Sequence, residues 1–156
     1  MNMNTVKKEK YVVDLKRLQT ICSRNYALLL RLLPLEYAKG QQWHIELGQG
    51  LYFELSVSDI SPYTEQFTLQ QRSTLSTLVG QMDIEFRLYH DAQMVEVTKY
   101  QQQDRIRPNN PYPNDKLHHK DEKTQINALL KDWLNLAIDH QPDKIDDRLL
   151  KNSASS

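Results

Sequence analysis

His118 and His119 stand side by side, with Asp121 and Glu122 just after them, and a second imidazole–carboxylate pair, His90-Asp91, lies upstream. Such groups can together coordinate a metal, relay a proton or cap the start of a helix. If a helix already contains the two histidines, His118 and Glu122 are four residues apart and meet on its surface. His119 then falls over the stripe used further on by Ile126 and Trp133. One helical turn cannot supply the three or four convergent ligands that a metal requires. His90-Asp91 is the natural source of the missing partners. This makes a small hydrolase or metal-dependent enzyme the alternative reading of the chain. The structural reading of the same residues is that His90, Asp91, Asn114 and Asp121 fix turns and a helix N-terminus, and no metal ligand set is assigned.

The same region also offers charge. Between Arg105 and Lys123 five basic side chains, among them Arg107, Lys116 and Lys120, and two histidines face three acids. A helix N-terminus attracts anions, and nearby Arg or Lys strengthens the attraction. A small anionic ligand, or an acidic patch on a protein partner, therefore fits the stretch from Arg105 through Tyr112, Asn114 and Lys116 to His118, Asp121 and Glu122. Arg87, His90 and Asp91 complete the candidate binding set. The first hypothesis is accordingly a small non-enzymatic binding or adaptor domain. Tyr89 and Tyr112 border polar segments and are expected to be exposed aromatics, whereas Trp43 and Trp133 sit on the apolar phase of their elements and belong to the core.

Composition narrows the alternatives. Twenty basic and twenty acidic side chains cancel, which argues against nucleic acid, since such binding draws on a basic excess to displace counterions. Four glycines in 156 residues leave no glycine-rich phosphate loop. There is also no nucleophile elbow, zincin motif or cysteine pair, so no cofactor is expected. Cys22 is the single cysteine; it rules out an internal disulfide and reads as a small buried hydrophobe. No run reaches the roughly 18–20 apolar residues that span a bilayer, and Arg31 and Pro34 interrupt the most apolar stretch, Ala27 to Leu35. With no membrane or export signal in view, the expected compartment is the cytoplasm. The oligomeric state is open.

The elements that must position these groups follow from hydrophobic period. Leu15, Leu18, Cys22, Leu29 and Leu32 or Leu33 recur at helical spacing, predicting a helix from about Val12 to the block at Pro34. The period then changes to two. Trp43, Ile45 and Leu47 alternate with polar residues, as do Leu51, Phe53, Leu55 and Val57, with Gly48-Gln49-Gly50 between them as a hairpin turn. Gln66 to Gln71, Met82 to Leu88, and a run carrying Val95 and Val97 supply three more strands. Tyr100 to Asn114, with three prolines, reads as a loop, with a short strand near Asp104 to Arg107 as an option. A second helix begins between Asp115 and Asp121 and carries Ile126, Leu129, Leu130, Trp133, Leu134, Ala137 and Ile138 on one stripe, ending before Pro142. The fold class is α+β: an antiparallel meander of about five strands, with an N-terminal and a C-terminal helix packed on one face. Residues 1–10 are expected to be a polar tail, 11–141 the single domain, and 142–156 a charged, disordered tail.

Specific residues also carry a resemblance. Arg87-Leu88-Tyr89-His90-Asp91-Ala92, Val95-Glu96-Val97, Tyr112-Pro113-Asn114, Lys116-Leu117-His118, Asp121-Glu122-Lys123, Gln125, Asn127 and Trp133-Leu134 are similar to the YqiB-like family of short proteobacterial proteins of unknown function. Asn25-Tyr26 and Arg31-Leu32-Leu33-Pro34 resemble its first helix. The similarity spans about residues 12–138. It implies a single cytoplasmic domain and brings no catalytic residue, cofactor or partner with it.

Overall fold

Alternating side chains build the centre of the molecule. The computed structural model describes residues 3–74, 81–103 and 120–145. Within them, five strands run as an antiparallel meander in sequence order: β1 (Gln42–Gly48), β2 (Leu51–Ile60), β3 (Thr64–Ser73), β4 (Gln81–Tyr89) and β5 (Met94–Gln103). Helix α1 (Met3–Leu32) precedes the sheet and α2 (Lys120–His140) follows it. The β1–β2 connection uses positive φ at Gly48, Gln49 and Gly50, a geometry that glycine adopts without steric penalty. The protein is a single-domain α+β fold, as the change of period in the sequence predicts.

One face of the sheet carries Trp43, Ile45, Phe53, Leu55, Val57, Phe67, Leu69, Ile84, Phe86, Leu88, Val95 and Val97, all buried. The two helices cover it. Helix α1 packs along α2 and against β5. Helix α2 starts beside β5, where Asn127 reaches Val97, and crosses to β2, where Trp133 stacks on Phe53 with ring centroids 5.0 Å apart. Phe67 and Phe86 stack at 5.5 Å between them. The opposite face is polar, with Glu54, Thr68, Gln70, Arg72, Asp83 and Arg87 in cross-strand rows. Among the described residues no helix is long and apolar enough to cross a membrane.

Three boundaries differ from expectation. Helix α1 begins at Met3 rather than near Val12, because Lys7-Lys8-Glu9-Lys10 are good helix formers and no proline or glycine interrupts them. Strand β5 continues through Tyr100 to Gln103, a stretch expected to be loop. A bulge at Thr98 shifts the β4–β5 register, so that Phe86 faces Val97 while Glu85 faces Lys99. The extra residue breaks the two-residue alternation and hides the second half of the strand. Beyond α2, Lys144 Nζ donates to the carbonyls of Leu30 and, at 3.1 Å, Leu33, and the Ile145 amide donates to Leu32 O at 3.1 Å. These contacts serve carbonyls that the end of α1 leaves without helical partners, and Ile145 is buried against the core. The short strand proposed near Asp104 to Arg107 lies outside the described residues.

Because Trp133 is only 9 % exposed and stacks on a fully buried phenylalanine, Trp133→Ala should cost about 3–5 kcal/mol through cavity formation. Urea unfolding measures it, and a loss below about 1 kcal/mol would contradict the packing described.

Candidate functional site

Two polar clusters lie within the described residues, one at the turn of the β4–β5 hairpin and one along β5 from Glu96 to Tyr100. The first gathers where the α1–β1 loop, the β2–β3 turn and the β4–β5 turn meet. Glu65 continues the inward phase of Leu69 and Phe67 at the start of β3, and its carboxylate is nearly buried. One of its oxygens accepts the Tyr37 hydroxyl. The other lies 2.7 Å from His90 Nε2. The His90 backbone amide donates to Tyr63 O at 3.0 Å, which fixes one turn to the other. Tyr37 packs edge-on against Trp43, with centroids 6.1 Å apart, and tilted against Phe67 at 6.0 Å. Burial, reinforced by the hydrogen bond to Glu65 and its charge, pushes the Tyr37 hydroxyl far above the usual phenol range. It remains a donor across the physiological range. The cluster is a closed hydrogen-bonded chain, Tyr37–Glu65–His90, with a half-exposed imidazole at its outer end.

The second cluster joins the start of α2 to β5 and α1. Asn127 Oδ1 accepts the Val97 amide at 2.8 Å, its Nδ2 donates to Lys123 O at 2.8 Å, and its backbone carbonyl accepts Asn25 Nδ2 at 3.1 Å. Cys22 Sγ lies 3.8 Å from the same Asn127 Oδ1. Lys123 Nζ pairs with Glu96 at 2.5 Å; the hydrogen-bonded carboxylate holds this ammonium above the ordinary lysine value. Glu122 accepts the Tyr100 hydroxyl. Burial first, and Glu96 second, push the Cys22 thiol up to about 12, with Lys123 working in the other direction. A thiol so held stays protonated and is a poor nucleophile, in keeping with its expected place in the core.

The sequence-based candidates separate in space. His90 joins the first cluster, and Asp91 is exposed in the adjoining turn. Arg87 lies on the open sheet face, its Nε donating to Gln66 Oε1 at 2.9 Å. Glu122 belongs to the second cluster through Tyr100, which faces Ile84 across the β4–β5 ladder. Asp121 lies in the first turn of α2. Arg105, Arg107, Tyr112, Asn114, Lys116 and His118 lie outside the described residues. Among the described residues no three His, Cys, Asp or Glu side chains come together as a metal site. Sequence reasoning missed Glu65 and Tyr37. The alternation of Leu69 and Phe67, extended one step back to Glu65, was the available signal for the first of them.

His90 ties two turns to a buried carboxylate, so His90→Ala should remove about 1 kcal/mol, or roughly 3 °C of melting temperature. An unchanged melt would make the contact energetically silent. The Cys22 thiol is raised in the folded chain, so its contribution is complete below the ordinary thiol value of 9.0 and is lost as pH rises towards about 12. Across that window the stability of the wild type should fall more steeply than that of Cys22→Ala, by up to about 1.4 kcal/mol per pH unit. Parallel slopes in urea titrations would refute the burial of the thiol.

Comparison with known proteins assigns the chain to a family. The model for "Protein of unknown function (DUF1249)" matches residues 28–143. "Uncharacterized protein YqiB" of Escherichia coli K12 is 34% identical over 132 residues, covering 85% of this chain and 94% of the relative. The proteins of the same name from Escherichia coli O6:H1 and O157:H7 match to the same extent. No solved structure matches the chain. The segment matched by the family model takes in the end of α1, the whole meander, α2, the first polar cluster and, but for Cys22 and Asn25, the second, and by it the chain belongs to the DUF1249 family, whose function is unknown.

Proposed function

We propose that the protein is a small, non-enzymatic cytoplasmic binding or adaptor domain that engages a protein partner at the end of the sheet held by Tyr37, Glu65 and His90. The observation that carries this reading is the concentration of large apolar side chains left in water there. Leu35 is 83 % exposed in the α1–β1 loop and Tyr63 is 66 % exposed in the β2–β3 turn. Ile60, opposite Glu65 in the β2–β3 ladder, is half-exposed. Exposed apolar side chains rimmed by charge mark contact surfaces; the rim here includes the Lys39–Asp59 pair and Asp91. The hydrogen-bonded chain beneath fixes the loop and both turns, so little ordering cost is left for association. The basic stretch with Arg105, Arg107 and Lys116 is proposed as a second, electrostatic element that favours an acidic surface or a small anion. It follows in sequence after Gln103, the last residue of β5.

A second reading, a small hydrolase, has one observation in its favour. His90 is held by a carboxylate, as a general base is oriented for catalysis. Of the other residues assigned to that chemistry, Asp91 and Glu122 do not join it, and His118 and His119 lie outside the described residues.

Affinity capture from native lysate separates the surfaces. Wild type, Leu35→Ser/Tyr63→Ser, Arg107→Ala/Lys116→Ala and the control Leu136→Ser on α2 serve as baits, each checked for an unchanged melt. A partner lost only with Leu35→Ser/Tyr63→Ser supports the apolar end. One lost only with Arg107→Ala/Lys116→Ala moves the interface to the basic stretch, and one retained by every bait removes both.

A further inference from the structure

The two edges of the sheet are treated differently. At β5 the outward-facing Val97 amide is taken by Asn127 Oδ1, and α1 packs against the strand. Among the described residues β1 has one strand neighbour, β2. Its hydrogen-bonding phase follows from the ladder. The Val57 amide donates to Gln41 O at 3.0 Å, and Gln41 and Val57 extend the register that pairs Trp43 with Leu55 and Ile45 with Phe53. In an antiparallel pair these alternate residues direct both backbone groups at the neighbour, so those of Gln42, His44 and Glu46 point away from the sheet. An edge of this kind is a template for another strand.

The geometry points to a second copy of this chain as that strand. If two β1 strands pair antiparallel about a twofold axis passing beside Ile45, His44 of one chain lies opposite Glu46 of the partner subunit, and the relation repeats on the other side of the axis. Both residues carry the outward backbone groups, so the two pairs exchange hydrogen bonds in phase. Both side chains are exposed on the open, polar face, which places an imidazole against a carboxylate twice. The same register is therefore complementary in backbone and charge. His44 already lies 3.3 Å from Glu54 of its own chain, and Tyr52 flanks its ring with centroids 5.0 Å apart, so the imidazole is positioned before association. The bulge at Leu47 between Glu46 and Gly48 ends the pairing after these residues and limits it to one short segment. The result is a twofold dimer with a continuous ten-stranded sheet.

Sedimentation equilibrium on the full chain tests the proposal. At about 100 µM the wild type should have the mass of two chains. His44→Pro removes an outward amide while keeping every β1–β2 bond, and should give a monomer with an unchanged fold by circular dichroism. Glu46→Lys places a cation opposite the imidazole and should weaken the dimer about tenfold or more; it keeps the test open if the proline variant does not fold. The exchange His44→Glu/Glu46→His should restore the dimer. A monomeric wild type at that concentration, or a dimer indifferent to both single variants, overturns the proposal. Neither outcome bears on the partner-binding end at Leu35 and Tyr63.

Discussion

The constraint on which everything else depends is that a five-stranded meander has one apolar face and must hide it. Strands with a two-residue period put Phe67 beside Phe86 and Phe53 beside Ile45 on that face, and no single helix is broad enough to cover it. Two helices from opposite ends of the chain share the work. Apolar contact alone would let them slide, because a hydrophobic stripe is tolerant of position. Asn127 removes that freedom. Its side chain and carbonyl are bonded at once to β5, to α1 and to its own helix, and each of these groups would be costly to leave unpaired once buried. Burial supplies the driving force, and one buried amide side chain sets the register.

The same division appears at the two polar clusters. Both sit at the margin of the apolar layer, where an inward-facing position has run out of hydrophobic neighbours. Glu65 continues the phase of Phe67 and Leu69, and Tyr100 continues the inward side of β5 beyond the bulge. A polar atom in such a place needs a partner from another element, so each becomes a tie between segments distant in sequence. This explains why His90 and Glu122, which look catalytic in the sequence, are engaged with structural partners in two separate clusters.

Much of the fold was legible in the sequence because it depends on period. Strand phase from Trp43 to Val97, the stop imposed by Pro34 and the stripe of α2 all follow from local spacing. What escaped were features that depend on a partner far along the chain or on one residue of slippage. Lys7 to Lys10 look like a solvated tail by polarity, yet they continue a helix, since helical propensity does not require an apolar stripe. Thr98 conceals half a strand by adding a single residue. Glu65 and Tyr37 are separated by two strands and meet only in three dimensions, so no spacing rule joins them. The candidate site was legible as residue types and not as a constellation: the partner of His90 is Glu65, not a residue that sequence proximity suggests.

The contacts of Lys144 and Ile145 with the last turn of α1 also bear on how the molecule is made. Helix α1 receives the groups that cover its final carbonyls from residues synthesised more than a hundred positions later. The strands emerge in the interval with their apolar face still lacking α2. The meander can pair as it appears, hairpin by hairpin, but the completed layer exists only after the last described residues are free to move. Until α2 and the residues after it are in place, the meander has an apolar face that nothing in the earlier part of the chain fully covers.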